Sequence, residues 1–462
     1  MKRLLMVCLM ALCLYTLAHA AEYTVDPAGA GDFTSLTAAL AIAQDGDRLI
    51  LSGGVYDDSI ESFPILVEKR VEIAAKDGET PVFSSPRLVS ALELNAQGIR
   101  VSGLQIDFLR TGMCVQNDDI TVENCILTLA DETWRTSSCG MWVAGAKGLT
   151  LTGCTFNGCG VALAGPPISG SSTGLPVLTG MFEVGEDIEF FTTHTMTDNL
   201  VNGLPLAYVV DLDGAVYSEP CGQLIAVSCD GTTFTALECG KASMGIELLY
   251  CTDTMVENCT ADDAGIFGIY VAKSEDCILR SCRADRGAHG IDLRAIHRCI
   301  VEGCSATGGG QGMFFSMAFD SMLVNCDIIK NGTGFYAAAG DRNHMDNCRI
   351  QGNQLGIYIQ KEPNFTVTTS LFRANWNTGA RSSQAPGFAI IGCTFEDNWV
   401  AAMSNYSDGV FYYSNSFAAS QSCSLYMKGN TQVRMLNNVF TDEDQALVQI
   451  ADCPDILRWP KN

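Results

Sequence analysis

The densest group of side chains capable of acid–base or anion chemistry lies in RADRGAHGIDLRAIHRC, residues 283–299. An arginine there could neutralise a sugar carboxylate while a histidine removes the adjacent proton, which is the chemistry of a polysaccharide lyase. The chain has 28 basic residues against 52 acidic ones, so a concentration of arginine and histidine is unusual in it. The candidate catalytic residues are His289, Asp292, Arg294 and His297.

These residues belong to a recurring phrase, a glycine followed by alternating apolar residues. Its short segments are rich in β-branched and aromatic residues and alternate with period two, which favours strands over helices. A fixed period of about 22 residues is typical of a solenoid. We predict an all-β, single-stranded right-handed parallel β-helix. The strongest lines begin at Gly222, Gly245, Gly268, Gly290, Gly312, Gly334, Gly356 and Gly379.

Residues one coil apart in such a fold are neighbours about 4.8 Å apart, so equivalent positions form columns. The first and third residues after each glycine, such as Ile246 and Leu248, are apolar and are predicted to point inward. The fourteenth is cysteine in most coils, which favours stacked buried thiols over a metal site. Of 21 cysteines, Cys8 and Cys13 precede residue 20, which leaves 19. Any disulfide is expected among Cys221, Cys229, Cys239 and Cys251.

The second residue after each glycine lies between two inward positions and is predicted to face solvent. Aromatic rings on such a face can stack on sugar rings, and exposed apolar patches often mark binding sites. The alternative is that the rings only stabilise the sheet by cross-strand stacking. Trp142 and Leu224 belong to this column, and the candidate substrate-binding residues in it are Glu247, Tyr270, Phe314, Tyr336, Tyr358 and Arg381.

Two other interpretations of the charged residues stay open. A glycoside hydrolase needs two carboxyl groups about 5–9 Å apart, and Glu247 and Asp292 would be separated by two coils, or ~10 Å. Purely structural ion pairing is the other interpretation. Arg280 falls between Glu257 and Glu302 in neighbouring coils, where opposite charges stabilise a sheet.

The ends of the chain and one interruption depart from the repeat. Residues 1–20 read as a signal peptide, since Lys2 and Arg3 precede an apolar run that ends in a small-x-small cleavage site. Residues 21–88 are predicted to form an N-terminal cap, with a helix from Leu36 to Ala43, and the first coils. Coils follow over 89–164 and a β-rich insertion over 165–221. Residues 222–462 then supply the remaining coils and the C-terminal end.

The segment DNLVNGLPLAY, residues 198–208, with the glycine lines at Gly222 and Gly245, resembles NosD-like β-helix proteins. The opening Gly31-Asp32-Phe33 is similar to the cap of pectate-lyase-like proteins. The resemblance implies a β-helix but no single activity, because such folds include lyases, hydrolases, epimerases and adhesins. The NosD name also implies copper delivery. The His- or Met-rich segments that copper would need are missing, so that role is not carried over.

Composition narrows the partners and the location. A net charge of −24 repels phosphate backbones, so we expect no nucleic acid partner. We expect a secreted or periplasmic monomer without a membrane span, which binds an extracellular polysaccharide or glycoconjugate. Whether it also cleaves this ligand, as a lyase or a hydrolase, stays open. No cofactor is expected, except calcium if the ligand is a uronate. The alternative is a non-catalytic surface, structural or adhesion protein.

Overall fold

The computed structural model describes residues 20–165, 187–441, 446–454 and 456–458. In these residues the chain is a parallel β-solenoid with few helical turns, so the predicted all-β coil architecture is confirmed. The predicted signal peptide, apart from Ala20, and most of the predicted entry to the insertion lie outside the described residues. The coils form two successive solenoids, which we call the first and the second.

The first solenoid stacks its strands into three parallel sheets, A to C. Sheet A contains Glu22–Val25, Arg48–Leu51, Glu72–Ala75, Arg100–Ser102, Thr121–Glu123, Thr150–Thr152 and Thr195–Thr197. Sheet B contains Gly54–Tyr56, Pro81–Ser84, Gln105–Phe108, Ile126–Leu129, Thr155–Asn157 and Leu200–Val201. Sheet C contains Ile65–Val67, Ser90–Leu94, Thr111–Val115, Cys139–Ala144 and Val161–Ala164.

The chain reverses direction between the two solenoids. Leu200–Val201, the last strand of sheet B, pairs antiparallel with Leu204–Val210, which begins sheet D. The turn uses Asn202 and Gly203, whose φ angles are 52° and 83°. Asn-Gly is a favoured pair for such a two-residue hairpin because both residues tolerate positive φ.

The second solenoid also has three parallel sheets, D to F. Sheet D contains Leu204–Val210, Gln223–Val227, Met244–Leu249, Phe267–Ala272, His289–His297, Gln311–Phe319, Thr333–Ala338, Leu355–Gln360, Thr378–Ser383, Val400–Asn405, Cys423–Lys428 and Ala446–Ala451. Sheet E contains Val216–Tyr217, Thr233–Thr235, Met255–Glu257, Ile278–Arg280, Ile300–Glu302, Met322–Val324, His344–Asp346, Thr366–Thr368, Ala389–Ile391, Phe411–Tyr413, Val433–Leu436 and Ile456–Arg458. Sheet F contains Ser305–Thr307, Asp327–Ile329, Arg349–Gln351, Leu371–Arg373, Thr394–Glu396, Ser416–Ala418 and Val439–Phe440.

Three short helical segments accompany the strands. The helix Leu36–Ile42 begins at Ser35, whose side chain accepts a hydrogen bond from the backbone N–H of Ala38. Such an N-cap satisfies a donor that the first turn leaves unpaired. A 3-10 helix spans Glu132–Ser137, and a single α-helical turn spans Glu189–Thr192.

Part of the segment expected as an insertion belongs to the coils. Thr195 pairs with Thr150, and Leu200 pairs with Thr155, so these residues continue sheets A and B. Leu206 pairs with Gln223 and therefore belongs to the first coil of sheet D. The largest departure from the 22-residue period therefore falls between Thr150 and Thr195, and a second, shorter coil separates Leu206 from Gln223.

The cysteine column forms a hydrogen-bonded ladder inside the second solenoid. The Sγ of Cys304 accepts the backbone N–H of Cys282 at 3.4 Å and donates to the carbonyl oxygens of Glu302 and Leu279. Ser370 replaces cysteine in this column and accepts the N–H of Cys348 in the same way. Each thiol therefore satisfies buried backbone groups at a corner of the coil, besides filling space.

The cysteines of the described residues are free thiols. The expectation of a disulfide among Cys221, Cys229, Cys239 and Cys251 is therefore wrong. The sulfurs of Cys221 and Cys239 lie 3.7 Å apart, in contact but not bonded. This distance is far longer than the ~2.05 Å of a disulfide bond.

The outer face of sheet C lies against the outer face of sheet D. The side-chain amide of Gln223 exchanges two hydrogen bonds with the backbone of Val161. The hydroxyl of Ser243, one coil further, accepts the N–H groups of Gly160 and Gly140 at 2.8 and 3.1 Å. Buried side chains of both faces join one apolar cluster. The two solenoids are therefore packed side against side.

Their axes run in opposite directions. Gly265, one coil beyond Ser243, meets the segment before strand Cys139–Ala144, since a Cβ on Gly265 would lie 2.6 Å from the carbonyl oxygen of Ser138. As the second solenoid advances from Gln223 to Gly265, its contact on the first solenoid therefore retreats from Val161 to Ser138. This arrangement follows from the reversal at Asn202 and Gly203.

Candidate functional site

The column predicted to face solvent is buried where the first solenoid covers it. Glu247, Tyr270 and Asp292 are 0% exposed, so the prediction is wrong for them. Trp142, in the matching position of sheet C, is buried in the same interface. Leu224 pairs with Ile246 and points into the core, one position out of the predicted register. The burial is caused by sheet C of the first solenoid, whose position against sheet D the 22-residue repeat does not reveal.

His289, Asp292 and Arg294 come together on strand His289–His297, and we call them the His289 cluster. Arg294 donates to both oxygens of Asp292, from Nε at 2.7 Å and from Nη2 at 3.0 Å. The Nδ1 of His289 lies 3.1 Å from Oδ2 of the same carboxylate. Asp292 and Arg294 meet because residues two apart on a strand share a face. Three of the four candidate catalytic residues are therefore in contact.

The electrostatics of the His289 cluster favour an ionised Asp292. Burial would raise the pKa of this carboxyl group, but the Arg294 charge and the hydrogen bonds from His289 and Arg294 together lower it. A bidentate guanidinium–carboxylate pair is among the strongest charge-assisted contacts. The carboxylate thus holds the imidazole through Nδ1 and orients its other nitrogen, Nε2.

The rim of the His289 cluster is a shallow pocket built by both solenoids. It has a volume of about 350 Å³ and is lined by Thr136, Ala288, His289, Gly310 and Gln311. Thr136 comes from the 3-10 helix of the first solenoid, and the other residues come from two adjacent coils of the second. The His289 side chain is 30% exposed, whereas Asp292 behind it is fully buried. The imidazole is therefore the part of the cluster that a ligand could reach.

An aromatic ladder continues from the His289 cluster along sheet D, and we define it as Phe314, Tyr336 and Tyr358. Phe314 and Tyr336 have ring centroids 5.2 Å apart, and Tyr336 and Tyr358 are stacked at 5.2 Å with an interplanar angle of 8°. The guanidinium of Arg294 lies 5.1 Å from the Phe314 ring, and that of Arg381 lies 4.9 Å from the Tyr358 ring. Each end of the ladder therefore carries a stacked cation.

The two cations differ in their pairing. Arg294 is neutralised by Asp292. In the part of the chain that the structure describes, no carboxylate lies within ion-pair distance of Arg381, and its Nε has no hydrogen-bond partner. Phe314, Tyr336, Tyr358 and Arg381 are all partly exposed. The far end of the ladder thus presents an uncompensated positive charge in a strongly acidic chain.

His297 and Glu247 do not join the His289 cluster. The side chain of His297 lies beyond a bend at Ala295, where φ is 50°, and contacts Glu275, Asp320 and Arg298 in a surface ion-pair network. Glu247 lies under strand Val161–Ala164. Burial raises its pKa well above the ordinary value, and the backbone N–H of Leu163 only partly offsets this. Burial therefore favours the neutral form of the Glu247 carboxyl group.

Some residues of this region were not anticipated from the sequence. Gln311 and Thr136 line the pocket, and only the pairing of Gln311 with His289 could have been obtained from the repeat. Trp376 and Trp399, on neighbouring coils, are 68% and 50% exposed just before two strands of sheet D. They recur at a spacing of one coil, a regularity that would have identified them.

Among the described residues, no group of three or more His, Cys, Asp or Glu side chains is placed to hold a metal ion. No helix in the same residues is long and apolar enough to cross a membrane. The predicted pairing of Arg280 with Glu302 is present at 3.0 Å.

Two family models match the second solenoid. Residues 244–386 match the right handed beta helix region, and residues 339–460 match the periplasmic copper-binding protein (NosD). No curated protein matches the chain.

Solved structures similar to the chain include a mutant of the periplasmic alginate epimerase AlgG, at 11% identity and a TM-score of 0.34, covering 89% of this chain and 85% of that one. The Azotobacter vinelandii mannuronan C-5 epimerase AlgE4 A-module has 11% identity and a TM-score of 0.36, with 89% and 91% covered. The Dettilon tailspike protein has 11% identity and a TM-score of 0.40, with 81% and 62% covered. Likenesses at these scores transfer no activity. On its own strand pairing the chain is a parallel β-helix repeat protein, and parts of its second solenoid are similar to the right handed beta helix region and to NosD.

Proposed function

We propose that this protein binds an extracellular polysaccharide or glycoconjugate along the aromatic ladder. The observation that carries the proposal is the row Phe314, Tyr336 and Tyr358, partly exposed and continued by Arg381, for which the described residues offer no acidic partner. Aromatic faces pack against the apolar faces of sugar rings, while a free guanidinium can bind a carboxylate or hydroxyl groups. A role in stabilising the sheet alone would not require an unpaired Arg381.

The finer proposal concerns chemistry at the His289 cluster. Lyase-type proton abstraction by His289 is supported by its exposed imidazole and its contact with an ionised, buried Asp292. Hydrolase chemistry has less support, because Glu247 and Asp292 are both fully buried and Asp292 is engaged by Arg294. The non-catalytic surface protein remains the rival.

The binding proposal is tested with purified protein and four linear polysaccharides: amylose, xylan, polygalacturonate and alginate. We expect at least one to bind in isothermal titration calorimetry. Tyr358→Ala should weaken that binding by about tenfold or more, equal to about 1.4 kcal/mol. The matched control is Tyr413→Ala, an exposed tyrosine on sheet E, which should leave binding unchanged.

The same variants separate binding from a structural role. If the ladder only stabilises sheet D, Tyr358→Ala will lower the melting temperature without changing the affinity for any glycan. Binding that is insensitive to both Tyr336→Ala and Tyr358→Ala would remove the proposal. Release of unsaturated sugar by the wild type but not by His289→Ala would support the lyase chemistry. Release that persists in His289→Ala would contradict it.

A further inference from the structure

The aromatic ladder has one open end and one closed end. From Arg381 the column continues through Tyr358, Tyr336 and Phe314 to Asp292, four coil steps or ~19 Å away. The side chains from Phe314 to Arg381 are partly exposed, whereas Asp292 and the next residue, Tyr270, are 0% exposed. Access along the column therefore stops at the His289 cluster.

The first solenoid forms the wall that closes this end. Strand Val161–Ala164 lies over Glu247, and the segment from Arg135 to Ser138 lies over Gly265. Backbone atoms form much of this wall, since the carbonyl oxygens of Arg135 and Ser138 would lie within 3 Å of a Cβ on Gly265. The backbone N–H groups of Gly160 and Gly140 donate to the Ser243 hydroxyl, so this wall is also hydrogen-bonded to sheet D.

Polar groups are concentrated in front of the wall. The pocket of about 350 Å³ contains the exposed edge of His289, with Gln311 beside it and Thr136 facing them from the first solenoid. Among the residues that the structure describes, none forms a hydrogen bond with the buried side-chain Nε2 of Gln311. A buried amide donor in a binding pocket favours a ligand that supplies an acceptor, such as a hydroxyl oxygen. The terminal residue of a glycan carries a free hydroxyl that an internal residue has lost to its linkage.

We infer that the protein recognises the end of a glycan chain, with the terminal sugar in the pocket of Thr136, His289 and Gln311 and the following sugars along the aromatic ladder. This inference rests on the proposed function and specifies which part of the polysaccharide is bound. Internal segments of a long chain cannot lie across the closed end, because the first solenoid occupies the space beyond Asp292. Any chemistry at His289 would then act on the terminal linkage.

The stoichiometry of binding tests the inference. Size-fractionated oligosaccharides of whichever of amylose, xylan, polygalacturonate and alginate binds are titrated, and the number of protein molecules bound per chain is measured by calorimetry and sedimentation. We expect this number to stay at one while the chain grows longer. A number that rises in proportion to chain length would show internal binding and would overturn the inference, while leaving the proposed function intact.

A pocket-filling variant provides an independent readout. Thr136→Trp should reduce the affinity for short oligosaccharides by about tenfold or more, or about 1.4 kcal/mol, because the indole would occupy the space of the terminal sugar. Thr133→Trp, also exposed on the same 3-10 helix, is the matched control and should bind as the wild type does. Circular dichroism checks that both variants are folded.

The outcomes distinguish a failure of the proposed function from a failure of the inference about the glycan end. If none of the four polysaccharides binds, the proposed function fails and the inference fails with it. If a polysaccharide binds and Thr136→Trp has no effect, ligands bind along the ladder without entering the pocket and only the inference fails. If Thr136→Trp does weaken binding, chemical reduction of the reducing end to the alditol identifies which end of the glycan is bound. The reduction weakens binding only if the reducing end enters the pocket.

Discussion

Glu247 and Asp292 lie two coils apart in one column of sheet D, on either side of Tyr270. Both carboxyl groups are fully buried, yet the pKa of Glu247 is raised and that of Asp292 is lowered. The difference is the guanidinium of Arg294, which pairs with Asp292, whereas among the described residues no cation pairs with Glu247. On one surface, burial under the first solenoid thus favours the neutral form of Glu247, while Arg294 favours the ionised form of Asp292 at its edge.

Replacing Asp292 should destabilise the protein strongly at neutral pH. Asp292→Asn leaves the buried Arg294 without its counter-charge, and breaking one side of a buried pair costs about 3–5 kcal/mol. Urea unfolding at pH 7 measures the loss. Asp327→Asn, which breaks the exposed pair with Arg349, is the control and should cost no more than about 1 kcal/mol.

The effect of Asp292 should also depend on pH. Because its pKa is lower in the folded state, its stabilising contribution is present above the unfolded value of about 3.9 and is lost as the pH falls through the folded value. The difference in unfolding free energy between wild type and Asp292→Asn should therefore shrink below pH ~4. A difference that stays constant down to pH ~2 would argue against this role.

Glu247 should show the opposite dependence. Its raised pKa means that the folded state keeps a proton that the unfolded state releases above about pH 4.3. The contribution of Glu247 is thus fully present below that pH and is lost as the pH rises through the folded value. In the wild type this contribution lowers the free energy of unfolding by up to about 1.4 kcal/mol per pH unit, and Glu247→Gln should remove that decline. Parallel stability curves from pH 5 to pH 8 would contradict the assignment.

In the cysteine ladder, replacement of a cysteine by serine should lower the free energy of unfolding less than replacement by alanine. Cys304→Ala leaves the buried N–H of Cys282 without an acceptor, at a cost of about 1–3 kcal/mol. Cys304→Ser keeps an acceptor in the position that Ser370 occupies in the same column and should lose less. Chemical denaturation of both variants measures the order. Equal losses would mean that the thiols act only by filling space.

An asparagine ladder at the corner between sheets F and D should also lose stability when one of its members is replaced by alanine. Asn375 is buried, accepts hydrogen bonds from the backbone N–H and Nδ2 of Asn353, and donates to Asn398. Asn375→Ala therefore orphans several groups, each costing about 1–3 kcal/mol. The exposed neighbour Asn377 offers a control, since Asn377→Ala should stay within about 0.5 kcal/mol. Thermal melting of the two variants provides the comparison.

The repeat was sufficient to predict the columns of the second solenoid. Ile246 and Leu248 point inward, Cys282 and Cys304 stack, and Tyr336 lies beside Tyr358, because each of these relationships depends only on the 22-residue period. Contact between His289 and Asp292 likewise follows from neighbouring positions on one strand. Local periodicity carries all of this information.

The repeat could not predict which face of sheet D would be covered. Glu247 and Tyr270 are buried by residues about a hundred positions earlier in the chain, and no period links the two segments. The Asn202-Gly203 pair was the available indication, since Asn-Gly between β-rich segments favours a hairpin. A hairpin there reverses the solenoid and brings sheet C against sheet D. His297 was misplaced for a similar reason, because the bend at Ala295 turns it away from the strand face.

The reversal at Asn202 and Gly203 makes the number of coils an adjustable quantity. The contacts that join the solenoids involve the coils from Gln223 to Gly265, and the shared pocket extends to Gln311, so coils beyond Gly312 carry the ladder without touching the hairpin. Whole coils could be inserted or deleted there, as in other modular arrays in which each repeat contacts only its neighbours. The closed end at the His289 cluster would stay in place, while evolution or design could change the length of the ladder by one coil, or ~4.8 Å, at a time.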